Sequence, residues 1–406
     1  MKLDALPIEF QGAMPILREL QGAGYEAYYV GGSVRDILLN KPIHDVDIAT
    51  SAFPAEIKQL FRRTIDVGIQ HGTVMVVTKD ATYEVTTFRT ESTYQDFRRP
   101  DHVEFVRSLK EDLKRRDFTI NALAVGIDGE VIDLFDGLSD LRSRKLRAVG
   151  NPYERFHEDA LRMMRGLRFI SQLGFTLEPE TFEAIREYHS LLAKISVERI
   201  NVEFVKLLMG SSRQAGVKAF VESECYIYCP GLSNYGEALL RFADLIGPAI
   251  PTEKQAWTLL ISMLGLKQDQ IKSFMKEWKC SNQLIKDVSQ MVPALAFRLS
   301  HEWDNWNLYQ VGRELAVSVE YLLIYFGQKP NQAKIRLMYQ NLPIHNLKDL
   351  AIKGNDLIQQ FDYPKGPWIN QVLRGMEREV IEKNLPNEQE ALLNFAQIFM
   401  EEEPHG

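Results

Sequence analysis

Asp45 and Asp47 stand two apart, nine residues beyond the run Gly31-Gly32-Ser33-Val34-Arg35-Asp36. A glycine pair opening onto a helix lets backbone N–H groups approach phosphates, and the helix start adds a favourable dipole. In a strand, residues i and i+2 face the same way. The sequence therefore predicts that Asp45 and Asp47 share one face and bind the same hard cation, with Mg²⁺ the natural fit. Taken alone, two aspartates near a turn are most often solvated. The glycine–arginine run upstream makes nucleotidyl transfer the better reading. Glu84, in a β-branched run, is the candidate third carboxylate.

Two further clusters could handle a nucleotide. Arg115-Arg116-Asp117-Phe118-Thr119-Ile120-Asn121-Ala122 puts adjacent arginines before an apolar stretch. Arg116 could hold phosphate or ribose, and Asp117 and Asn121 could order the chain through side-chain to backbone bonds. Asp133-Leu134-Phe135-Asp136-Gly137 reads as an architectural turn. Glu158-Asp159-Ala160-Leu161-Arg162 continues to Arg165 and Arg168. As spacing alone, this is a charged helix face with i,i+3 ion pairs. A sharper reading concerns base edges. Cytosine and adenine share an exocyclic amine beside an unprotonated ring nitrogen, whereas uracil and guanine present a carbonyl beside a ring N–H. A carboxylate only accepts and an arginine only donates. Asp159 and Arg162, one turn apart, therefore match C and A and mismatch U and G.

The elements that must position these groups fall into two regimes. Up to about residue 147, strand and helix signals mix. Residues 8–20 read as a helix kinked at Pro15, 26–30 as a strand, and 33–39 as a helix capped by Ser33. Residues 46–49, 73–78, 83–87, 121–125 and 131–134 read as strands. Residues 91–101, with Arg98 and Arg99, read as an exposed loop. Beyond Gly150-Asn151-Pro152 the apolar spacing becomes helical and strand runs vanish. Helices are expected over 155–173, 179–187, 197–209, 254–264, 282–297, 308–327 and 332–341. The predicted fold class is an α/β head with a mixed sheet, followed by an all-helical remainder.

Composition bounds the rest. A chain of 406 residues holds more than one domain. The net charge of −7 argues against wholesale electrostatic binding of nucleic acid, yet residues 107–168 hold 13 Lys/Arg against 11 Asp/Glu, so positive charge gathers near the motifs. Cys225, Cys229 and Cys280 make neither a disulfide framework nor a zinc site. The N-terminal stretch MKLDALPIEF lacks a secretory pattern, and no apolar run nears the ~20 residues of a spanning helix. A cytoplasmic protein without a membrane partner is expected.

Together these segments resemble the class II CCA-adding enzymes, tRNA nucleotidyltransferases of the polymerase-β-like superfamily. The match runs in family order through Gly-Gly-Ser-Val-Arg-Asp with Asp-Val-Asp, Arg-Arg-Asp-Phe-Thr-Ile-Asn-Ala, Asp-x-x-x-Gly, Glu-Asp-Ala-Leu-Arg and Ser196-Val-Glu-Arg-Ile200. It covers most of residues 25–205. Lys353-Gly-Asn-Asp-Leu357 and Lys365-Gly-Pro-Trp-Ile369 look like the tail of the shorter bacterial members, and no His-Asp phosphohydrolase signature is present. The resemblance implies a polymerase-β-like nucleotidyltransferase head (1–147), a neck with the base-reading helix (148–209), a body (210–305) and a tRNA-binding tail (306–406). It implies that Gly32 and Arg35 contact the triphosphate within a phosphate loop that includes Gly31 and Ser33. Asp45 and Asp47 would hold Mg²⁺, Arg116 would contact nucleotide, and Asp159, Arg162, Arg165 and Arg168 would line its pocket. CTP and ATP would be substrates, and the acceptor and TΨC arms of tRNA the macromolecular partner. Lys365 is a candidate tail contact, and a homodimer is left open.

Nearby alternatives are a poly(A) polymerase, an enzyme adding only CC or only A, a small-molecule nucleotidyltransferase and a non-catalytic RNA-binding module. The segment 66–74 looks like the CCA-adding version rather than the poly(A) one. The loop 89–100 favours full C-C-A addition. The ~200 helical residues have no obvious use with a small acceptor, and the intact Asp45/Asp47 pair speaks against a decayed head.

Overall fold

The computed structural model describes residues 1–91, 94–95, 99–100, 103–361 and 363–402. They form two compact units, the first being Met1–Asp244 with two short later segments, the second comprising most of the chain from Thr252 onward.

The first unit is built on a mixed sheet. Its strands are β1 (Ala27–Val30), β2 (Asp47–Thr50), β3 (Thr64–Gly68), β4 (Thr73–Val77) and β5 (Thr82–Thr87). Then come the short β6 (Arg89–Glu91), β7 (Tyr94–Gln95), β8 (Arg99–Pro100) and β9 (Val103–Phe105), and finally β10 (Leu123–Val125) and β11 (Val131–Asp133). Seven of these join in the order β11-β10-β1-β2-β5-β4-β3, with β2 and β5 the parallel pair. β6 pairs with β9, and β7 with β8, outside that sheet. The expected loop 91–101, Arg98 included, lies in part outside the described residues.

Alternation along the strands sets which face is covered. In β4, Val74 and Val76 are buried while Thr73, Met75 and Val77 are half-exposed; in β5, Val85 and Thr87 are buried while Glu84 is exposed. The buried face packs on helices α1 (Ile8–Gly22) and α3 (Pro54–Leu60), through Phe10, Ala13, Leu17 and Ile57. α1 runs on through Pro15. Between them in sequence, α2 (Gly32–Leu38) follows β1 directly. On the other face, α4 (Leu109–Lys114) contributes Leu109 and Leu113 to a cluster with Val30, Ala49, Phe88, Ala122 and Val149. α5 (Gly137–Ser143) starts at the Asp133 turn, where Asp133 accepts from the N–H groups of Phe135, Gly137 and Leu138. A Cβ on Gly137 would lie 2.4 Å from the Thr119 carbonyl oxygen, so this turn has no room for a side chain.

The helices α6 (Pro152–Glu158), α7 (Leu161–Leu173), α8 (Pro179–Tyr188) and α9 (Val197–Met209) follow. Here the structure corrects three expectations. The helix expected over 155–173 is broken at Asp159-Ala160, where Asp159 adopts φ −136° and ψ 101°. Its carboxylate caps the Leu161 N–H instead. Strand structure does not end at the head, since Thr176–Leu177 pairs in parallel with Lys145–Leu146. The helix expected over 308–327 divides at Gly312, which has φ +79° and separates Asn305–Val311 from Arg313–Leu322.

The second unit is helical in its described residues. Its helices include Asn282–Ser300, Trp368–Ile381 and Gln389–Glu402. Trp368, Val372, Met376, Leu392 and Ala396 anchor one apolar cluster. Elsewhere Glu320 is buried as the shared acceptor of Arg298, Trp303 Nε1 and the Asn331 N–H. Such a charge is tolerable because its lone pairs are filled. Lys365 is exposed. Cys225 and Cys229 are buried free thiols in the first unit, and burial pushes the Cys225 thiol up to about 12. No helix among the described residues is long and apolar enough to cross a membrane.

Candidate nucleotide-binding and catalytic site

β1 leads into Gly31, whose φ of +74° favours glycine. A Cβ there would stand 3.3 Å from Arg116 Nη1 and 3.5 Å from Asp47 Oδ2. Three of the expected functional positions thus converge on one turn. Gly31, not Ser33, precedes the first turn of α2. Ser33 is buried inside the helix, and its hydroxyl donates to the Val30 carbonyl at 3.1 Å. The expected Ser33 cap is therefore corrected, because the glycine turn carries the hydroxyl back toward β1. Arg35 extends from α2, pairs with Asp36, donates to Asn121 Oδ1 at 2.8 Å and lies 5.1 Å from the Phe169 ring centre.

Asp47 opens β2 opposite Glu84 of β5, so the two carboxylates are direct neighbours on one sheet face. Asp45 is placed differently from expectation. Ladder pairing begins at Asp47, and Asp45 is an exposed residue before the strand, so no strand alternation aligns the two. Its charge still reaches Asp47. Burial pushes the Asp47 carboxyl up, Glu84 and Asp45 add to the rise, and Arg116 opposes it. Among the described residues, no three His, Cys, Asp or Glu side chains are gathered closely enough to enclose a cation.

Arg116 donates to Asp112 Oδ2 at 3.0 Å and to the Asn121 carbonyl at 3.2 Å, while its Nε is buried without a partner. Asp112 is itself buried beneath Arg115 and Arg116. Asp117 does what its position suggested. It accepts from the Phe118 N–H and from Asn121 Nδ2, and also takes Arg165 at 2.7 Å. Burial pushes its carboxyl up, but Arg165, Asn121 and the Phe118 N–H outweigh that and hold it well below the usual carboxylate range.

The break before α7 brings Asp159 and Arg162 to the same cavity on separate supports. Asp159 Oδ2 accepts from Arg199 Nη2 of α9 at 2.7 Å. Arg162 donates to Glu158 at 2.7 Å and to the carbonyls of Arg155 and Arg115, which fixes the plane of its guanidinium. One turn on, Arg165 meets Asp117, and Arg168 meets Glu203 at 2.5 Å while lying 4.0 Å from the Phe169 ring centre.

These groups line one cavity of about 770 Å³ in the first unit. Eight arginines face it against four carboxylates, a balance suited to a polyphosphate. Gly31, Gly32, Arg35, Asp47, Glu84, Arg116, Asp159, Arg162, Arg165 and Arg168 are all at its wall; Asp45 and Ser33 are not. Sequence reasoning assigned no site role to Arg199, Arg89, Thr73, Thr86 or Phe169, which also line it. Arg199 had a signal, because it lies within the Ser196–Ile200 motif.

Comparison with known proteins adds the family. Residues 27–147 match the model described as the poly A polymerase head domain. Residues 174–235 match the probable RNA and SrmB-binding site of polymerase A, and residues 249–396 match the putative tRNA nucleotidyltransferase domain 2. The chain is 59% identical to a CCA-adding enzyme of Enterococcus faecalis over 98% of both chains. It is 49% identical to one of Lactiplantibacillus plantarum over the full length of both. Its structure is similar to that of the Bacillus stearothermophilus CCA-adding enzyme in complex with CTP, with a TM-score of 0.92, 40% identity and coverage of 98% and 99%.

Proposed function

The chain belongs to the CCA-adding enzymes, a family of tRNA nucleotidyltransferases, and from that premise we propose that it adds C, C and A to the 3′ end of tRNA from CTP and ATP without a template, releasing pyrophosphate. The observation that carries this reading is the in-register Asp47–Glu84 pair at the wall of an arginine-rich cavity that also holds Asp159.

The donor set fits a divalent cation. Asp47 pairs in register with Glu84 and feels the charge of Asp45, and a carboxylate crowded by like charges is relieved by positive charge. Asp45 and Asp47, with Glu84, would hold it, and hard oxygen donors favour Mg²⁺. Bound there, such an ion supplies activation of the acceptor hydroxyl and charge neutralisation at the leaving pyrophosphate.

The remaining work belongs to the chain. The open backbone at Gly31 and Gly32, with Arg35, receives the β- and γ-phosphates. Arg116 presents its guanidinium beside that turn. Asp159 and Arg162 read the base edge shared by C and A. Each Asp159 oxygen already accepts one bond and retains a further lone pair for an exocyclic amine. Uracil or guanine would leave buried polar groups unpaired, costing on the order of 1–3 kcal/mol each. Arg165 and Arg168, fixed by Asp117 and Glu203, keep the pocket electropositive around them.

In this reading residues 1–147 are the catalytic head, 148–209 the neck, and 210–305 and 306–406 the body and tail that engage the acceptor and TΨC arms by shape and phosphate contact. Such substrates belong to the cytoplasm. The test is sequencing of product ends after incubating a tRNA transcript that lacks its last three nucleotides with all four nucleoside triphosphates. Ends reading CCA support the assignment. Ends reading CC, a single A or an A-tract would replace it with a partial adding enzyme or a poly(A) polymerase.

A further inference from the structure

The sheet face that carries Asp47 and Glu84 does not stop at Glu84. Register continues it across two more strands: Glu84 pairs with Met75 of β4, and Met75 with Ile65 of β3. Asp47, Glu84, Met75 and Ile65 therefore form one cross-strand row on one face. The reverse face of β3 is accounted for separately, since Asp66 points toward α3 and pairs with Lys58. The neighbouring row runs through Thr86 and Thr73, whose hydroxyls bond each other at 3.0 Å, to Gly68, which adds no side chain.

This strip is open. Ile65 is 52% exposed, on the strand at the edge of the sheet, and Met75 is half-exposed. In the other direction the face is closed, because Val30, paired with Asp47, is buried with Ala49 under α4. The cavity runs from Gly31, Arg116 and Asp159 on one side of the carboxylates to Thr86 and Thr73 on the other, and in the function proposed above the nucleotide takes the first side. In-line transfer brings the acceptor hydroxyl in opposite the leaving pyrophosphate. The approach left to it crosses β5, β4 and β3.

We propose that Met75 and Ile65 form an apolar shelf that carries the last two nucleotides of the acceptor strand while its 3′-hydroxyl reaches the Asp47–Glu84 pair. This rests on the function proposed above. Strand spacing puts Ile65 about 10 Å beyond Glu84, a distance of one to two nucleotides. The chemistry of the shelf suits the task. The acceptor end changes after every addition, so whatever supports it must be indifferent to base identity. Apolar contact with a base or ribose face has no donor–acceptor code, unlike the Asp159–Arg162 edge reader.

The test uses the full-length chain and three transcripts, ending at the residue before C, after one C and after two. Ile65→Ser removes apolar area from an exposed site, and Ile65→Glu also sets a charge against the phosphates. Ile8→Ser, at the exposed first residue of α1, is the control. Ile65→Ser should raise KM for all three RNAs alike by about fivefold, and Ile65→Glu by more, with KM for CTP and the thermal midpoint unchanged. A photo-cross-linking side chain installed at Ile65 should label the last two nucleotides of each transcript. Unchanged KM for RNA, a loss confined to one of the three ends, or cross-links only to the stem or to the protein itself would overturn the shelf. If these occur while the wild-type chain still builds CCA, the function stands without the shelf. A wild-type chain that extends none of the three would overturn both.

Discussion

Arg199 donates to Asp159 at 2.7 Å from a helix forty residues further along the chain, and Asp159 has no helical position of its own to fix it. The carboxylate proposed to read the base is thus aimed by a neighbouring helix rather than by the one it precedes. Arg199→Ala should raise KM for both CTP and ATP by roughly tenfold, in line with about 1.5 kcal/mol for a charge-assisted hydrogen bond. Asp159→Asn, whose amide both donates and accepts, should admit UTP. Incorporation assays with each of the four nucleotides check both outcomes.

Asp47 is in electrostatic conflict when the chain is free of cations. Its carboxyl is raised, so the folded state binds that proton more tightly than the unfolded chain does. Below the ordinary aspartate range both states are protonated and nothing is lost. As pH rises through the raised value, ionisation costs the folded state stability. Asp47→Asn should therefore abolish incorporation yet raise the thermal midpoint at neutral pH in chelator. That gain should fade as the pH approaches about 4. Paired melting curves across pH, with and without Mg²⁺, are the measurement.

Asp117 has the opposite sign. Its depressed carboxyl contributes stability that is fully present above the ordinary aspartate value and is lost as pH falls below it. Asp117→Asn leaves Arg165 without its closest counter-charge and should cost about 2 kcal/mol at pH 7. In urea titrations the gap from wild type should close on acidification below about pH 4.

Asp45 and Asp47 occupy different settings, one exposed before the strand and one inside the ladder. Ala at either position should abolish incorporation. Asp47→Ala should also alter the acid side of the stability profile, because burial and Glu84 push that carboxyl up. Normal incorporation by Asp45→Ala would remove it from the metal-binding set.

Binding of tRNA should weaken steeply with salt, because contact to an RNA end and stem is largely contact to phosphate. KM for tRNA measured between about 50 and 200 mM salt should rise far more than KM for CTP. Equal responses would argue against phosphate recognition by the helical segments.

Much of this molecule was readable from its residues alone. The glycine run at 31–32 marked the tight turn because only that residue type takes φ +74° freely, and β-branched runs marked strands that the sheet contains. The shift to helical spacing after residue 150 marked where the sheet architecture gives way. What one-dimensional spacing could not supply was anything depending on partners distant in the chain. Asp47 and Glu84 meet through strand register, Arg199 reaches Asp159 across two helices, and Arg165 and Arg168 find Asp117 and Glu203. Local pattern also misled where tertiary bonds outcompeted it. The helix breaks at Asp159 because its carboxylate is better satisfied by Leu161 and Arg199, and Asp45 falls outside a ladder that starts two residues later. Residue types thus determined which chemistry the chain carries. The packing of strands and helices decided which of those groups share a site, because charge and hydrogen bonding act over a few ångströms of space and not along sequence.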